Sequence, residues 1–166
     1  MTGNQPSELD GLKAKRLTPH TMEASAPPLF LAPMAGVTDL AYRILARECG
    51  ADLTVTEFTA ASGLTRKNTY SWLKVESDPR ESPFIPQIFG GITEEMVQTV
   101  EMLQDRADVI DINFGCPAPK VCRNDAGAAL LRDPDRVVSM VRACIDATEV
   151  PITVKMRLGT GSGPNT

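Results

Sequence analysis

Histidine is almost absent from this 166-residue sequence, and its four cysteines form no familiar metal-binding or disulfide pattern. The single histidine, His20, lies in the N-terminal tail, and five residues separate Cys116 from Cys122. Paired zinc ligands usually have only about two to four residues between them. We therefore predict no metal site, and free thiols in a reducing cytoplasm rather than a secreted disulfide framework.

The sequence also lacks an excess of positive charge and any long apolar run. Its 17 Lys and Arg residues against 21 Asp and Glu residues give a net charge of −4, which excludes a general attraction to nucleic acid. Any RNA contact must therefore come from a local basic patch. No segment approaches the ~20 consecutive apolar residues of a membrane span, and no signal peptide is recognised. We expect a cytoplasmic protein that does not contact a membrane.

The apolar residues that are present, 42% of the chain, are enough for one domain with a buried core. Residues 1–26 show no apolar periodicity and are predicted to be a disordered N-terminal extension. The structured domain is predicted over residues 27–158. Residues 159–166 contain no apolar side chain and are predicted to be an unstructured tail.

Short strand patterns alternate with helical patterns along this domain. Strands are predicted at residues 28–34, 52–57, 84–89, 109–112 and 151–156. Residues 59–82 are harder to interpret and are taken as a helix followed by a loop. This alternation predicts an α/β fold with a parallel sheet. Five strands suit either an open sheet or part of a barrel, because a full (β/α)₈ barrel takes roughly 250 residues.

Capping residues and apolar stripes predict where three of the helices begin and which faces they bury. The predicted caps are Thr38, with Asp39 as an acidic residue in the first turn, Thr93, and Asp133 followed by Pro134. The predicted buried faces are Val37, Leu40, Ala41, Ile44 and Leu45 in the first helix; Met96, Val97, Val100 and Leu103 in the second; and Val137, Val138, Val141, Cys144 and Ile145 in the third.

The fourth predicted strand opens directly into a Gly115-Cys116-Pro117 loop. Chemistry in parallel α/β proteins gathers at the C-terminal ends of the strands, so Asn113 and Cys116 are candidate site residues. Taken alone, a buried structural cysteine beside a turn proline explains this loop better. The other motifs in the chain favour a functional role for this loop instead.

Further short motifs occur at the ends of the predicted strands: APMAGVTD at 32–39, TE at 56–57, QIFG at 87–90, DINFGCP at 111–117 with Lys120 and Val121, and VKMR at 154–157. In order and spacing they closely resemble the tRNA-dihydrouridine synthases. The resemblance covers residues 29–158, about the first half of a typical member. It implies a partial (β/α)₈ TIM barrel of about five parallel strands that binds FMN. It also implies an oxidoreductase that uses NADPH to reduce uridine to 5,6-dihydrouridine in tRNA.

The same resemblance implies a role for each matching side chain. Cys116 matches the catalytic cysteine, and a thiol with an ordinary pKa near ~8.5 is mostly protonated at neutral pH, so it can act as a general acid. Flavin contacts are implied for Pro33, Met34, Ala35, Gln87 and Lys155. Asn113 would hold the uracil edge or the flavin. Arg157 would meet substrate or phosphate, and a solvated surface charge is an equal alternative.

The family pattern continues beyond this sequence with a histidine, glycine-rich phosphate-binding loops and a helical tRNA-binding domain. We therefore expect a truncated chain that is not competent alone and that either self-associates or needs a complementing C-terminal half. Two other interpretations stay open. One is a dihydroorotate dehydrogenase-like FMN enzyme, and the other is a catalytically dead half-barrel that serves as a binding or assembly module.

Overall fold

The computed structural model describes residues 27–159, so the predictions for residues 1–26 and 160–166 lie outside the described residues. The strands are β1 (Phe30–Leu31), β2 (Leu53–Thr54), β3 (Thr59–Ala60), β4 (Gln87–Phe89), β5 (Ile110–Phe114) and β6 (Ile152–Met156). The helices are α1 (Leu40–Glu48), α2 (Ala61–Thr65), α3 (Thr69–Lys74), α4 (Thr93–Leu103), α5 (Pro119–Cys122) and α6 (Pro134–Asp146). A 3₁₀ helix spans Gly127–Arg132.

Each strand runs parallel to its paired neighbour. β1 pairs with β2, and β3, β4, β5 and β6 form a second set in that order. Two hydrogen bonds connect the sets: the Thr56 N–H donates to the Ile85 carbonyl (3.1 Å), and the Gln87 N–H donates to the Thr56 hydroxyl (3.0 Å). The predicted α/β fold with parallel strands is confirmed.

The chain after β2 differs from its prediction. The strand predicted over residues 52–57 is regular only at β2, and β3 follows as a separate two-residue strand. The sequence does not reveal β3 because two residues are too few to show a period. Pro86 lies just before β4, and its carbonyl accepts a hydrogen bond from the Asp111 N–H at 3.0 Å. The missing N–H of a proline therefore interrupts no pairing within β4.

One predicted helix cap, Asp133, is confirmed, and two are wrong by one residue: the cap of α1 is Asp39 and not Thr38. The Asp39 carboxylate accepts from the Tyr42 N–H at the start of α1, and the Asp133 carboxylate accepts from the Arg136 N–H at the start of α6. Thr93 is not the cap of α4, because Ile92 occupies that position without a side-chain hydrogen bond. Thr93 lies one residue too late and is already in the first turn.

The predicted buried face of α1 is wrong. Arg43 and Ile44 are its buried residues, whereas Leu45 is 55% exposed and Val37, just before the helix, is also exposed. The apolar pattern misleads here because the Arg43 guanidinium is buried against Glu81, and that ion pair turns the charged side chain inward. In α6, Met140 is buried while Val138 and Ile145 are exposed, so that face is also rotated from its prediction.

The main core lies between the sheet and the helices. All five residues of β5 are buried, and they alternate between the two faces of the sheet. Ile110, Ile112 and Phe114 join the core with apolar side chains of α2, α4 and α6, among them Leu64, Met96, Val100, Leu103 and Met140. Asp111 and Asn113 therefore occupy the opposite face, where they form the polar site described below.

Two features are absent from the described part of the chain. Within residues 27–159, no helix has the length and apolar character that crossing a bilayer requires. The same residues contain no group of three or more His, Cys, Asp and Glu side chains arranged to hold a metal ion.

Candidate active site at the C-terminal ends of the strands

The face of the sheet opposite the main core changes from apolar to polar along the strand direction. Leu53, Ile85 and Val109 form a small apolar cluster near the start of β4 and β5. Two residues further along these two strands, Gln87 and Asp111 lie side by side in register. Polar groups therefore gather toward the C-terminal ends of the parallel strands, where such folds carry their chemistry.

Asp111 is at the centre of a buried row of hydrogen bonds that crosses three strands. Its Oδ2 accepts from Gln87 Nε2 at 2.5 Å, and its Oδ1 accepts from the Thr153 hydroxyl at 2.6 Å. Gln87 Oε1 then accepts from Asn113 Nδ2 at 3.0 Å. Gln87 is 0% exposed, and Asp111 and Asn113 are each 7% exposed, so nearly all of this polar surface is shielded from water.

Asp111 is a carboxylate in a low-dielectric environment. Burial raises the pKa of Asp111, and this effect outweighs the hydrogen bonds from Gln87 and Thr153 and the positive charge of Lys155, all of which act in the opposite direction. Lys155 lies on β6 in register with Asn113, and its side chain belongs to an exposed residue. The site thus combines a buried negative charge with an accessible positive charge.

Asn113 fixes the backbone of the cysteine loop. Its Oδ1 accepts hydrogen bonds from the Gly115 N–H (3.1 Å) and the Cys116 N–H (2.9 Å). On its other side, the Cys116 carbonyl accepts from the Ala128 N–H at 3.0 Å. Hydrogen bonds on both sides therefore hold the Cys116 backbone in place. Cys116 is half-buried, so its thiol is not packed into the core.

Gly127 allows the 3₁₀ helix to approach this loop closely. Its φ is +60°, and a Cβ atom there would lie 2.7 Å from the Cys116 carbonyl oxygen and 2.8 Å from Val121 Cγ1. Both the left-handed backbone and the lack of space exclude a larger residue. Gly127 therefore helps to determine where Cys116 sits.

A second loop follows β1 and contains Pro33, Met34 and Ala35. The Met34 N–H donates to the Thr38 hydroxyl (3.0 Å), and the Gly36 N–H donates to Glu57 Oε2 (2.9 Å). The same carboxylate oxygen of Glu57 forms an ion pair with Lys74 (3.1 Å). Met34 is 39% exposed and Ala35 is exposed, so this loop presents an accessible surface on an anchored backbone.

Arg157 lies beside the cysteine loop. Its Nε donates to the Gly115 carbonyl at 2.7 Å. A cleft of about 430 Å³ adjoins the loop and is lined by Pro117, Cys122, Ala128, Ala129, Arg132, Arg157 and Gly159. Two guanidinium groups thus border the space next to the cysteine, which suits an anionic ligand.

The structure brings several of the predicted site residues into direct contact. Gln87, Asn113 and the Cys116 backbone form one continuous hydrogen-bonded row, Lys155 adjoins it in register, and Arg157 contacts the cysteine loop. Pro33, Met34 and Ala35 lie on the separate loop after β1. Sequence reasoning missed Asp111 as the centre of the row; the available signal was an acidic residue within the apolar run of the central strand. It also missed the Glu57–Lys74 pair, for which the sequence offers no signal.

The residues predicted to contact a flavin differ in their accessibility. The exposed Met34, Ala35 and Lys155 are accessible to a flat ring, and a lysine ammonium can stabilise negative charge on a reduced flavin. Gln87 is different, because it is fully buried and its amide already bonds to Asp111 and Asn113. Its predicted flavin contact therefore stays a prediction.

Comparisons with known proteins identify the family to which this chain is similar. A family model described as "Dihydrouridine synthase (Dus)" matches residues 30–165. The "Probable tRNA-dihydrouridine synthase" of Rhizobium leguminosarum bv. phaseoli is 42% identical over 130 residues, which cover 78% of this chain and 41% of that protein. The "tRNA-dihydrouridine synthase B" of Pseudomonas aeruginosa is 40% identical over 148 residues, 87% of this chain and 43% of that protein.

The chain thus spans about two fifths of the length of the curated relatives it matches. Its parallel strands and crossover helices form part of the TIM barrel that the motifs predicted. Fold, motif order and sequence identity lead to one conclusion: the chain belongs to the dihydrouridine synthase family.

Proposed function

We propose that this chain carries the catalytic cysteine of an FMN- and NADPH-dependent tRNA-dihydrouridine synthase, an oxidoreductase that reduces uridine to 5,6-dihydrouridine in tRNA. The observation that supports this most directly is the anchoring of Cys116 by Asn113 at the C-terminal end of β5. The names of the relatives support the same substrate. They favour the tRNA enzyme over a dihydroorotate dehydrogenase-like protein.

In this proposal Cys116 is the general acid. A bound FMN, kept reduced by NADPH, would be the source of the hydride for carbon 6 of the uracil ring. The negative charge that develops is neutralised when the S–H bond of Cys116 breaks and a C–H bond forms at carbon 5. The resulting thiolate regains its proton from water. A rigid backbone favours this step because proton transfer needs the donor at a fixed position.

The other predicted residues bind and orient. The Pro33–Ala35 loop and Lys155 would contact the flavin ring, and the predicted flavin contact of Gln87 belongs to the same proposal. Asn113 holds the substrate or flavin edge through the hydrogen-bonding positions that its contacts with the cysteine loop do not use. Arg157, together with Arg132 across the cleft, offers positive charge to an RNA phosphate. This local basic pair would supply the attraction to tRNA that the net charge of −4 does not.

The test replaces Cys116 with alanine or serine at the gene's own locus and measures dihydrouridine in total tRNA by mass spectrometry of nucleosides. Loss of a general acid lowers turnover by about 10²- to 10⁴-fold, so we expect dihydrouridine at the affected position to fall to background in Cys116→Ala. The matched control is Cys49→Ala, which removes an exposed thiol on a different part of the surface. Unchanged dihydrouridine in Cys116→Ala would instead favour the catalytically dead binding module.

A further inference from the structure

We infer that Asp111 is a positioning residue for Cys116: it occupies the amide N–H of Gln87, and so leaves the oxygen of Asn113 free to hold the cysteine loop. Only the catalytic consequence of this inference depends on the proposed function. The positioning itself is a property of the chain.

The side-chain amides of Gln87 and Asn113 each point in a definite direction. An amide has an oxygen that accepts and a nitrogen that donates, and its partners decide which way it points. Both carboxyl oxygens of Asp111 accept hydrogen bonds, Oδ1 from Thr153 and Oδ2 from Gln87, so Gln87 Nε2 faces Asp111 and Gln87 Oε1 faces Asn113. Asn113 must then turn its own nitrogen toward Gln87 and its oxygen toward the loop.

The cysteine loop needs an acceptor at this end of the row. The N–H groups of Gly115 and Cys116 both donate to Asn113 Oδ1, at 3.1 and 2.9 Å. A reversed Asn113 would present N–H groups to these two donors and would leave them without an acceptor. Every donor between Asp111 and Cys116 therefore faces an acceptor in only one orientation of the two side-chain amides.

Without an acceptor at residue 111, the Gln87 amide would compete with the cysteine loop for the oxygen of Asn113. Gln87 is fully buried, and a buried amide N–H without a partner is costly, so Gln87 would seek another acceptor. Within the row, that acceptor is Asn113 Oδ1. Asn113 would then be drawn away from Gly115 and Cys116, and the backbone that carries the thiol would loosen.

The chemistry of the site favours a positioning role for Asp111 over a stabilising one. Its carboxylate is buried, its acceptor bonds come from neutral donors, and among residues 27–159 no cation forms an ion pair with it. A buried charge without a paired cation opposes folding. The acceptor-only carboxylate nevertheless imposes the direction that the cysteine loop needs.

The experiment measures amide hydrogen exchange by NMR in the 166-residue chain without flavin or tRNA. In Asp111→Leu, we expect the Gly115 and Cys116 amides to exchange about tenfold faster, as loss of a typical hydrogen bond predicts, while core amides of β5 change less. Asp111→Asn should rescue the slow exchange, because an asparagine oxygen can still accept from Gln87. Thr153→Val is the matched control: it removes a bond to the same carboxylate but leaves Gln87 occupied.

A double variant provides the sharper test. Adding Gln87→Leu to Asp111→Leu removes the competing amide, so the Gly115 and Cys116 amides should again exchange slowly. Wild-type exchange in Asp111→Leu, or equally fast exchange in the double variant, would overturn the inference. If Asp111→Leu does not fold, the double variant decides alone. A folded double variant with protected Gly115 and Cys116 amides supports the competition between Gln87 and the cysteine loop for Asn113. Any other result contradicts it.

The catalytic consequence is measured separately as dihydrouridine in tRNA, with each substitution placed at the gene's locus. Asp111→Leu should lower dihydrouridine formation and Asp111→Asn should largely preserve it. If the loop amides respond as expected but dihydrouridine does not, the positioning stands and the proposed function fails. If the loop amides do not respond, the positioning fails whatever the activity shows.

Discussion

Two buried polar clusters in this chain differ in how their charge is balanced. In the Arg43 cluster, Arg43 and Glu81 form an ion pair at 2.5 Å with side chains only 1% and 0% exposed. The Thr54 hydroxyl also donates to Glu81, and Arg43 donates to two backbone carbonyls. The Asp111 cluster, which consists of Asp111, Gln87, Asn113 and Thr153, contains one carboxylate bonded to neutral donors.

The difference indicates what each cluster is for. The Arg43 cluster joins α1 to β2 and to the segment before β4, and its charges cancel, as expected of a structural tie. The Asp111 cluster carries an unbalanced charge at the C-terminal end of the sheet, beside the cysteine loop. Perturbed ionisable groups are typical of functional sites. The buried ion pair therefore belongs to the folded framework, whereas the buried carboxyl group without a paired cation lies at the candidate active site.

The largest effect should come from breaking the ion pair. Arg43→Met leaves Glu81 buried without a cation, so we expect the free energy of unfolding to fall by about 3–5 kcal/mol. Urea denaturation followed by circular dichroism measures this. The control is the double variant Arg43→Met with Glu81→Leu, which removes both charges and should recover much of the loss. If the single variant is as stable as wild type, Arg43 is not the structural tie described here.

A smaller effect with a distinctive pH dependence is expected for Asp111→Asn. Burial raises the folded-state pKa of Asp111 above its ordinary value of 3.8, so the folded chain holds this proton more tightly than the unfolded chain. The stability contributed by Asp111 is therefore present below pH 3.8 and is lost as the pH rises through the raised folded-state pKa. At neutral pH, Asp111→Asn should change the free energy of unfolding by only about 1 kcal/mol.

The measurement is a series of urea titrations of both proteins from acid to neutral pH. The stability of Asp111→Asn relative to wild type should increase as the pH rises through this window. A difference that stays constant with pH, or one that decreases, would contradict the account of an unbalanced buried carboxylate.

The smallest effect is expected for an ion pair at the surface, which serves as the reference for both clusters. Arg80 contacts Asp78 at 2.8 Å and lowers the pKa of Asp78 to about 2. Because solvent screens exposed charges, Arg80→Ala should lower the urea midpoint only slightly. By linkage, the rise of the folded-state Asp78 pKa toward its ordinary value of 3.8, followed by NMR titration, should be correspondingly small. A clear loss of stability would show that a surface pair contributes as buried pairs do.

Much of the site was predictable from sequence because its residues sit at strand ends in a recognisable order. The alternating pattern predicted the parallel α/β fold, and the Gly115-Cys116-Pro117 loop, Asn113 and Lys155 were identified as candidates before any coordinates. What the sequence missed depends on contacts between distant segments. Glu57 anchors the loop after β1 through Gly36, 21 residues away, and Arg43 pairs with Glu81 at a separation of 38 residues.

The sequence by itself determined the family, the general alternation of strands and helices, and the loop that carries the thiol, because these are local patterns of apolar spacing and motifs. Only the tertiary structure decided that Arg43 is buried, that β3 is a separate strand, and that Asp111 organises the row leading to Cys116. Each of these depends on which polar partner the fold places nearby. A buried polar group is tolerated only where such a partner exists, and one-dimensional spacing does not contain that information.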